Sequence, residues 1–250
     1  MTDNVIINVD LSQAELRVMA ILSDDKWMQG ALQEGAGDFF DTHLMPVAFP
    51  WITLDYGTVE AYKEQYPVEH KEDRTKVKAV QYGLAFGRQA PAIAQSIGLS
   101  TGEAQKIIDN YMETATGFAQ WREDIMEAAK FPAKRDILIN PFGRKFQSEI
   151  VTSKNFRNIQ REALSFLPQS TSSDIMLATA IRISPTLKEL GYPPINLVHD
   201  ALMMEGPREG ADLIGQFVGQ ELRKTGEAVL GDAVPFLSDY SYDVSWSALS

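Results

Sequence analysis

Two aspartates, Asp10 and Asp200, each stand at the edge of an apolar run. Asp10 closes the run 5–9, and Asp200 lies in the polar pair His199-Asp200 between the apolar runs 197–198 and 201–202. A carboxylate at a strand end is held near neighbouring strand ends, and its hard oxygens suit Mg2+. Paired carboxylates that hold two metal ions are a device of phosphoryl transfer. Taken alone, however, Asp10 fits a helix cap equally well, and Asp200 fits a hairpin turn better.

A helical segment between the two acids, 74–86, carries cations and aromatic rings at a spacing of four residues. The members of this stripe are Arg74, Lys78, Tyr82 and Phe86. Residues four apart share one helix face, so this face could hold a magnesium-bound triphosphate. Two glycines beside the aromatics cost about 1 kcal/mol each relative to Ala, which favours the close approach of a flat group. The alternative is a solvated basic end followed by a buried aromatic end.

The composition is that of a globular protein with an acidic balance. The 250 residues include 44% hydrophobic side chains, no Cys, and 34 acidic against 23 basic residues, for a formal net charge of −11. This charge argues against a general basic coat for nucleic acid and predicts weak DNA affinity for the chain alone. The absence of Cys suits a cytoplasmic protein. Local basic clusters remain, and they comprise 74–88, 144–145 and 154–161.

The order of the predicted elements indicates an α+β fold with a sheet assembled from both ends of the chain. A capping box at Ser100–Glu103 marks one helix start. The predicted elements are a strand at 4–10, a helix at 12–22, short helices and loops at 25–72, helices at 74–86, 101–113 and 116–130, a hairpin at 136–147, helices at 155–166 and 171–189, strands at 195–198 and 201–205, and a helix at 208–226.

In this order, the segments around Asp10, 74–87 and Asp200 resemble motifs A, B and C of family A DNA polymerases. The resemblance runs from residue 4 to the C-terminus. It implies a right-hand polymerase palm, made of an antiparallel sheet and helices, with a helical fingers subdomain inserted after motif A. The thumb and the upstream domains are expected to be absent. The implied parts are palm at 1–24, fingers at 25–150 with the motif B helix at 74–87, and palm at 151–250 with motif C at 197–202.

The resemblance also implies the residues that handle the metal ions and the nucleotide. Asp10, Asp200 and the backbone carbonyl of Leu11 would bind two Mg2+ ions. Glu15 would close the space at the sugar 2′ position, although the residue alone fits an exposed helix acid better. Arg74 and Lys78 would bind the triphosphate, and Lys78 would also protonate the leaving pyrophosphate. Tyr82 would lie at the base and sugar of the nucleotide, and Gln13 and His43 would lie near the phosphates. A plain surface histidine is the alternative for His43.

A further set of residues would contact the primer–template. Its members are Phe86 near the template base, Arg161, Ser165 and Gln169 at the minor groove, and His199 at the primer end. Three positions depart from the family pattern, because Phe86 replaces a frequent Tyr, Ser165 an Asn, and Ala201 a Glu. The acid missing at Ala201 is an auxiliary one, so activity is expected to survive.

The resulting hypothesis is the catalytic portion of a DNA-templated DNA polymerase in phage-type replication, acting in the cytoplasm of a bacterial host. Its partners would be primer–template DNA, deoxynucleoside triphosphates and a second polypeptide that supplies the thumb, the upstream palm and an exonuclease domain. One alternative is a fragment of a single-subunit phage-type RNA polymerase, which Glu15 and Tyr82 oppose. The other is a non-catalytic DNA-binding or scaffolding subunit, which intact Asp10, Lys78 and Asp200 oppose.

Overall fold

The computed structural model describes residues 3–131 and 137–246. The chain divides into two compact units, which are considered one at a time. Unit 1 comprises Met1–Val18, Asn140–Arg144 and Pro168–Ser250, and unit 2 comprises Met19–Ile139 and Lys145–Leu167. The assignment of 1–24, 25–150 and 151–250 to palm and fingers stays a prediction.

Unit 1 is built on a four-stranded antiparallel sheet with strand order β2-β3-β1-β4. The first strand lies at the centre, and its alternate residues are buried because one face of the sheet is covered. These buried residues are Val5, Ile7, Val9 and Leu11. The strands are β1 (Asn4–Leu11), β2 (Pro194–Val198), β3 (Ala201–Pro207) and β4 (Ser238–Asp243). The predicted α+β fold class is therefore confirmed.

One amphipathic helix, Ala211–Leu230, packs on β1 and β4 of this sheet. It comes close because Gly215 has no side chain: a Cβ at this position would lie 2.4 Å from the ring of Tyr240. The prediction of a helix at 208–226 is wrong in its bounds, since Arg208–Gly210 forms a separate turn of 3-10 helix. The helix begins only after Gly210.

Unit 2 is helical. Its core includes a cluster around Ile125, Leu138, Ile159 and Leu164. In chain order, the α-helices of the described residues are α1 (Ala14–Leu22), α2 (Lys26–Ala31), α3 (Met45–Ala48), α4 (Pro50–Tyr56), α5 (Val59–Gln65), α6 (Pro67–Ala85), α7 (Ala90–Ile97), α8 (Thr101–Thr114), α9 (Thr116–Lys130), α10 (Phe156–Glu189) and α11 (Ala211–Leu230). A π-helix, Phe39–Leu44, precedes α3. Helices α1 and α10 contribute residues to both units.

Two predicted helices, at 155–166 and 171–189, are one helix, α10. Proline inside a helix removes a backbone hydrogen bond and usually ends the helix, which is why a break was expected near Pro168. Buried apolar residues on both sides of Pro168, among them Leu167 and Ile175, keep the helix continuous. Packing therefore outweighs the local preference of proline here.

The motif B helix is longer than predicted. It begins at Pro67 rather than near residue 74, and proline at the first helical position needs no partner for its missing N–H. By contrast, the capping box at Ser100 and Glu103 is confirmed: the Ser100 hydroxyl accepts from the Glu103 N–H, and the Glu103 carboxylate accepts from the Ser100 N–H.

The predicted hairpin at 136–147 is short. Residue 136 lies outside the described residues, Ile139 forms a bridge with Lys145, and the N–H groups of Asn140 and Phe146 donate to the carbonyls of Arg144 and Leu138, each at 2.9 Å. The Asn140 carbonyl oxygen Oδ1 accepts from the N–H groups of Phe142 and Arg144, at 3.1 and 2.9 Å. The side chain of Asn140 therefore supplies the turn contacts that a longer ladder would otherwise provide.

Within residues 3–131 and 137–246, none of the helices has the length and apolar character needed to cross a bilayer.

Candidate active site

The end of the central strand of unit 1 brings Asp10 beside Asp200. In the ladder between β1 and β3, Asp10 stands opposite Ala201. Beyond that pair, the N–H of Leu11 donates to the backbone carbonyl of Asp200 at 3.2 Å. The two carboxylates are close enough to share a hydrogen bond. The β2–β3 turn therefore carries Asp200 to the position at which β1 ends.

Like charges crowd this corner of unit 1. Burial, then the charge of Asp200 and its hydrogen bond, and finally the charge of Asp239 raise the pKa of Asp10 to about 6. The N–H of Leu11 opposes this shift by donating to the carboxylate. Asp239 stands opposite Asp10 on β4 and accepts a hydrogen bond from the Ser12 hydroxyl at 2.6 Å. The site thus has a surplus of negative charge.

This donor set fits a divalent cation. Among the described residues, no group of three or more His, Asp or Glu side chains is arranged to hold a metal ion by itself. The Asp10–Asp200 pair instead offers two hard carboxylates whose mutual repulsion a cation would relieve. Mg2+ usually keeps several water or phosphate ligands besides one or two carboxylates, so a pair of acids is sufficient. A contribution from the carbonyl of Leu11 stays a prediction.

Four other predicted site residues, Gln13, Glu15, Gln169 and His199, lie in the same unit. The Glu15 carboxylate accepts a hydrogen bond from Gln169, while burial and the charge of Asp200 raise its pKa. Glu15 is half-buried, so it is not the exposed helix acid of the alternative interpretation. Gln13 and His199 flank the acid pair in sequence, and both have a positive φ of 56°. Left-handed backbone at residues other than Gly is uncommon and is enriched at functional sites.

In unit 2, the motif B stripe forms one continuous face of α6. The Nζ of Lys78 and the Cζ of Arg74 lie 5.2 and 5.7 Å from the ring centroid of Phe40. The rings of Tyr82 and Phe86 stack at 6.2 Å, with 17° between their planes. This face therefore presents two cations followed by two parallel rings, as the four-residue spacing predicts.

Arg74 of this face already has two carboxylate partners. The Nη2 of Arg74 donates to Asp38 Oδ2 at 2.8 Å, and its Nε lies 2.8 Å from Asp41 Oδ1. His43 follows on the same π-helix, and its Nε2 is 2.8 Å from the carbonyl of Ala36. Neither Asp38 nor Asp41 was predicted from the sequence as a site residue. Asp38 could have been recognised as a helix N-cap residue, since its carboxylate accepts hydrogen bonds from N–H groups in the first turn of the π-helix.

The glycines of α6 have a structural explanation. A Cβ at Gly83 would lie 3.0 Å from the side chain of Ile93 on α7, so the two helices need this glycine to pack. Gly87 has a φ of +73°, and a Cβ there would meet the Arg161 side chain at 2.8 Å. These glycines therefore have a packing role, and the approach of a flat ligand to them stays a prediction.

A basic cavity of about 390 Å³ lies in unit 2 near the end of α6. Among the described residues that line it are four cations and no carboxylate: Arg88, Lys154, Arg157 and Arg161. Arg161 also donates to Asn158 one helical turn away. Ser165 uses its hydroxyl within the helix, donating to the carbonyl of Glu162 at 3.1 Å. The cavity is suited to an anion, whereas Ser165 is partly committed to its own helix.

Comparison with known structures places this fold in a defined class. The polymerase domain of Pol1 from M. smegmatis, in complex with a DNA primer-template and a dNTP, matches with a TM-score of 0.79 and 25% identity. The match covers 98% of this chain and 40% of that chain. The fold is therefore that of a DNA polymerase I polymerase domain.

The family follows from the sequence. Residues 1–248 match the model of DNA polymerase family A, and the chain belongs to this family. DNA polymerase I of Deinococcus radiodurans is 28% identical over 246 residues, covering 96% of this chain and 23% of that protein. The DNA polymerase of Mycobacterium phage D29 is 28% identical over 225 residues, covering 88% of this chain and 32% of that protein. The chain thus spans about a quarter to a third of the length of these relatives.

Proposed function

We propose that this chain carries the nucleotide-adding centre of a DNA-templated DNA polymerase, which extends a primer 3′ end with deoxynucleotides by two-metal phosphoryl transfer. The observation that carries the proposal is the contact between the Asp10 and Asp200 carboxylates at the end of the central strand. Family membership supports it, since the M. smegmatis relative was solved with a primer-template and a dNTP.

The acid pair and the motif B face divide the chemistry between them. Asp10 and Asp200 would hold the metal ions, and Mg2+ bound there would supply Lewis-acid activation and neutralise developing charge. Arg74 and Lys78 bind the triphosphate, and Lys78 donates a proton to the leaving pyrophosphate oxygen. Tyr82 packs against the base and sugar of the incoming nucleotide.

Residues around the acid pair select and position the substrates. Glu15, held by its hydrogen bond from Gln169, occupies the space that a 2′-hydroxyl would need. Gln13 and His43 lie beside the phosphates, and His199 contacts the primer end. Phe86, Arg161 and Ser165 contact the primer–template, and the four cations of the basic cavity add a local surface for phosphates despite the net charge of −11.

The proposal includes a second polypeptide. A thumb and upstream palm on another polypeptide would add phosphate-contacting surface to a chain whose formal net charge is −11. We expect little primer extension by residues 1–250 alone and strong extension once such a polypeptide is added. Processive synthesis by a monomer of this chain would refute the requirement. A split enzyme in phage-type replication, acting in the bacterial cytoplasm, stays a prediction.

Replacing the acids tests the catalytic proposal. Asp10→Ala and Asp200→Ala should each slow nucleotide addition by a factor of about 10³ or more, because the charges that hold the metal ions are lost. Primer extension is measured in the preparation that extends, with circular dichroism to check the fold. Asp232→Ala, at an exposed acid of unit 1, is the matched control and should leave the rate unchanged. An Asp200→Ala protein with near wild-type rate would refute the mechanism.

A further inference from the structure

Arg74 of the motif B face forms ion pairs with two acids that differ in exposure. Its Nη2 donates to Asp38 Oδ2 at 2.8 Å, and its Nε lies 2.8 Å from Asp41 Oδ1. The Asp38 side chain is 35% exposed and that of Asp41 14% exposed. An incoming phosphate could therefore reach the contact with Asp38 more easily than the contact with Asp41.

Asp41 has two further partners, a buried histidine of α6 and an exposed lysine of α5. His70 lies one helical turn before Arg74 on α6, and its Nε2 is 3.4 Å from the same Oδ1 of Asp41. The His70 side chain is 5% exposed. The Nζ of Lys63 on α5 is a third partner of Asp41 and lies 3.6 Å from its Oδ2. Asp41 is thus surrounded by partners from α5 and α6, which restricts its carboxylate to one place.

The contacts at Asp41 Oδ1 act through charge and proximity. This atom and His70 Nε2 are both buried, and neither has a partner in hydrogen-bond geometry. The guanidinium instead directs its in-line hydrogen bond from Nη2 to Asp38. If a phosphate replaced Asp38 at Nη2, the ion pair with Asp41 would remain and would keep the guanidinium in place.

We propose that Asp41, anchored by His70, is a positioning residue for nucleotide binding. It holds the Arg74 guanidinium along its Nε edge while the triphosphate takes the position of Asp38 at Nη2. This inference rests on the proposed function, in which Arg74 binds the triphosphate. A preorganised guanidinium loses less side-chain freedom on binding, so the benefit appears as nucleotide affinity. Asp41 itself does not touch the nucleotide.

A double-mutant cycle tests this inference in the full chain. The dissociation constant of dCTP with Mg2+ is measured by isothermal titration calorimetry for wild type, Asp41→Asn, Arg74→Ala and the double variant. Asp41→Asn should weaken binding by about 10-fold in the wild-type background, because a charge-assisted contact is lost. In the Arg74→Ala background it should have no further effect, since the guanidinium that it positions is gone.

Two matched variants separate positioning from plain stability. Asp73 is a buried acid on α6, the helix that also carries Arg74, but its carboxylate accepts from Tyr62 and Lys76. Asp73→Asn should therefore lower the unfolding midpoint, and its effect on dCTP affinity should not be coupled to that of Arg74→Ala. Asp38→Asn keeps an oxygen for its cap but loses the competing charge, so nucleotide affinity should be equal or tighter. Weakening by Asp38→Asn as large as that by Asp41→Asn would overturn the distinction between the two acids.

The outcomes also distinguish this inference from the proposed function. Two outcomes would overturn this inference and leave the proposed function standing. In the first, Asp41→Asn weakens dCTP binding equally in the wild-type and Arg74→Ala backgrounds. In the second, Arg74→Ala weakens dCTP binding but Asp41→Asn does not. If Arg74→Ala binds dCTP as tightly as wild type, or if wild type does not bind dCTP, the proposed nucleotide site fails and the inference fails with it.

Discussion

The acid pair of unit 1 and the motif B face of unit 2 handle charge in opposite ways. In unit 1, burial and then the negative charges of Asp200 and Asp239 raise the pKa of Asp10. In unit 2, the guanidinium of Arg74 is already neutralised by Asp38 and Asp41. The first site carries repulsion that a cation would relieve, whereas the second contains carboxylates in places where phosphate oxygens could bind.

This difference indicates how each site should respond to its ligand. Binding at the acid pair should stabilise unit 1, because a repulsive interaction disappears. Binding at Arg74 exchanges one anion for another, so it should give selectivity more than stability. The predictions below test this contrast, in order of decreasing effect.

The largest effect is expected at Lys78. Lys78→Ala should lower the rate of nucleotide addition by about 10²- to 10⁴-fold, the usual contribution of a positioned acid. Single-turnover primer extension measures it. Lys78→Arg keeps the charge without a readily released proton, so it should recover nucleotide affinity but only part of the rate. Full recovery of the rate by Lys78→Arg would show that charge, and not proton transfer, is what this residue supplies.

The next effect concerns sugar selection in unit 1. Glu15→Ala should relax exclusion of ribonucleotides by about 10- to 100-fold, because the side chain that fills the 2′ space is removed. Competition between ribo- and deoxynucleotides in primer extension measures the ratio. Gln169→Ala should give a smaller change in the same direction, since it only frees Glu15 from its hydrogen bond. Unchanged discrimination in Glu15→Ala would place the sugar gate elsewhere.

A smaller effect is expected at Tyr82 in unit 2. Tyr82→Phe should raise discrimination against dideoxynucleotides, because the phenol can substitute for the missing 3′-hydroxyl contact, while deoxynucleotide use changes little. The stacked pair with Phe86 should remain, since both versions keep the ring. Chain-termination ratios measure the change. Equal termination by Tyr82→Phe and wild type would contradict the role of the hydroxyl.

The smallest effect is on stability and depends on pH. Because the folded-state pKa of Asp10 is raised from 3.8 to about 6, the folded chain keeps this proton where the unfolded chain loses it. Stability from this group is therefore present below about pH 4 and is lost as pH rises to 6. Without metal, Asp10→Asn should raise the unfolding free energy at pH 7 by about 1 kcal/mol or less, since the group is half-exposed and screened.

The controls for this last prediction use pH and metal. Well below pH 3.8 the stability difference between Asp10→Asn and wild type should vanish, because wild-type Asp10 is then protonated in both the folded and the unfolded state. Mg2+ should raise the unfolding midpoint of wild type more than that of Asp10→Asn. Thermal unfolding followed by circular dichroism measures both. A variant that is less stable than wild type at pH 7 without metal would show that repulsion does not dominate at the acid pair.

Much of this arrangement was readable from local pattern. The apolar run 5–9 predicted the strand that carries Asp10, and the spacing of four residues predicted the shared face of Arg74, Lys78, Tyr82 and Phe86. The capping box located the start of α8 within one residue. These features depend on neighbours along the chain, so strand and helix periodicity is enough to find them.

Other features depended on contacts between distant segments. Pro168 predicted a break that packing on both sides prevents, and Gly83 suggested a ligand at a position where Ile93 packs. Asp239 is separated from Asp10 by most of the chain, yet the β1–β4 register places it directly opposite. Local propensity cannot report such pairings, because they arise when segments meet and bury their surfaces.

For this chain, residue order therefore determined the strand that ends in Asp10, the cationic face of α6 and membership of DNA polymerase family A. Tertiary structure alone decided that Asp10 and Asp200 share a hydrogen bond and that Arg74 lies against Asp38 and Asp41. The reason is physical. The periodicity of strands and helices depends on residues close together in the sequence, whereas the electrostatics of a site depend on distances that only the folded backbone sets.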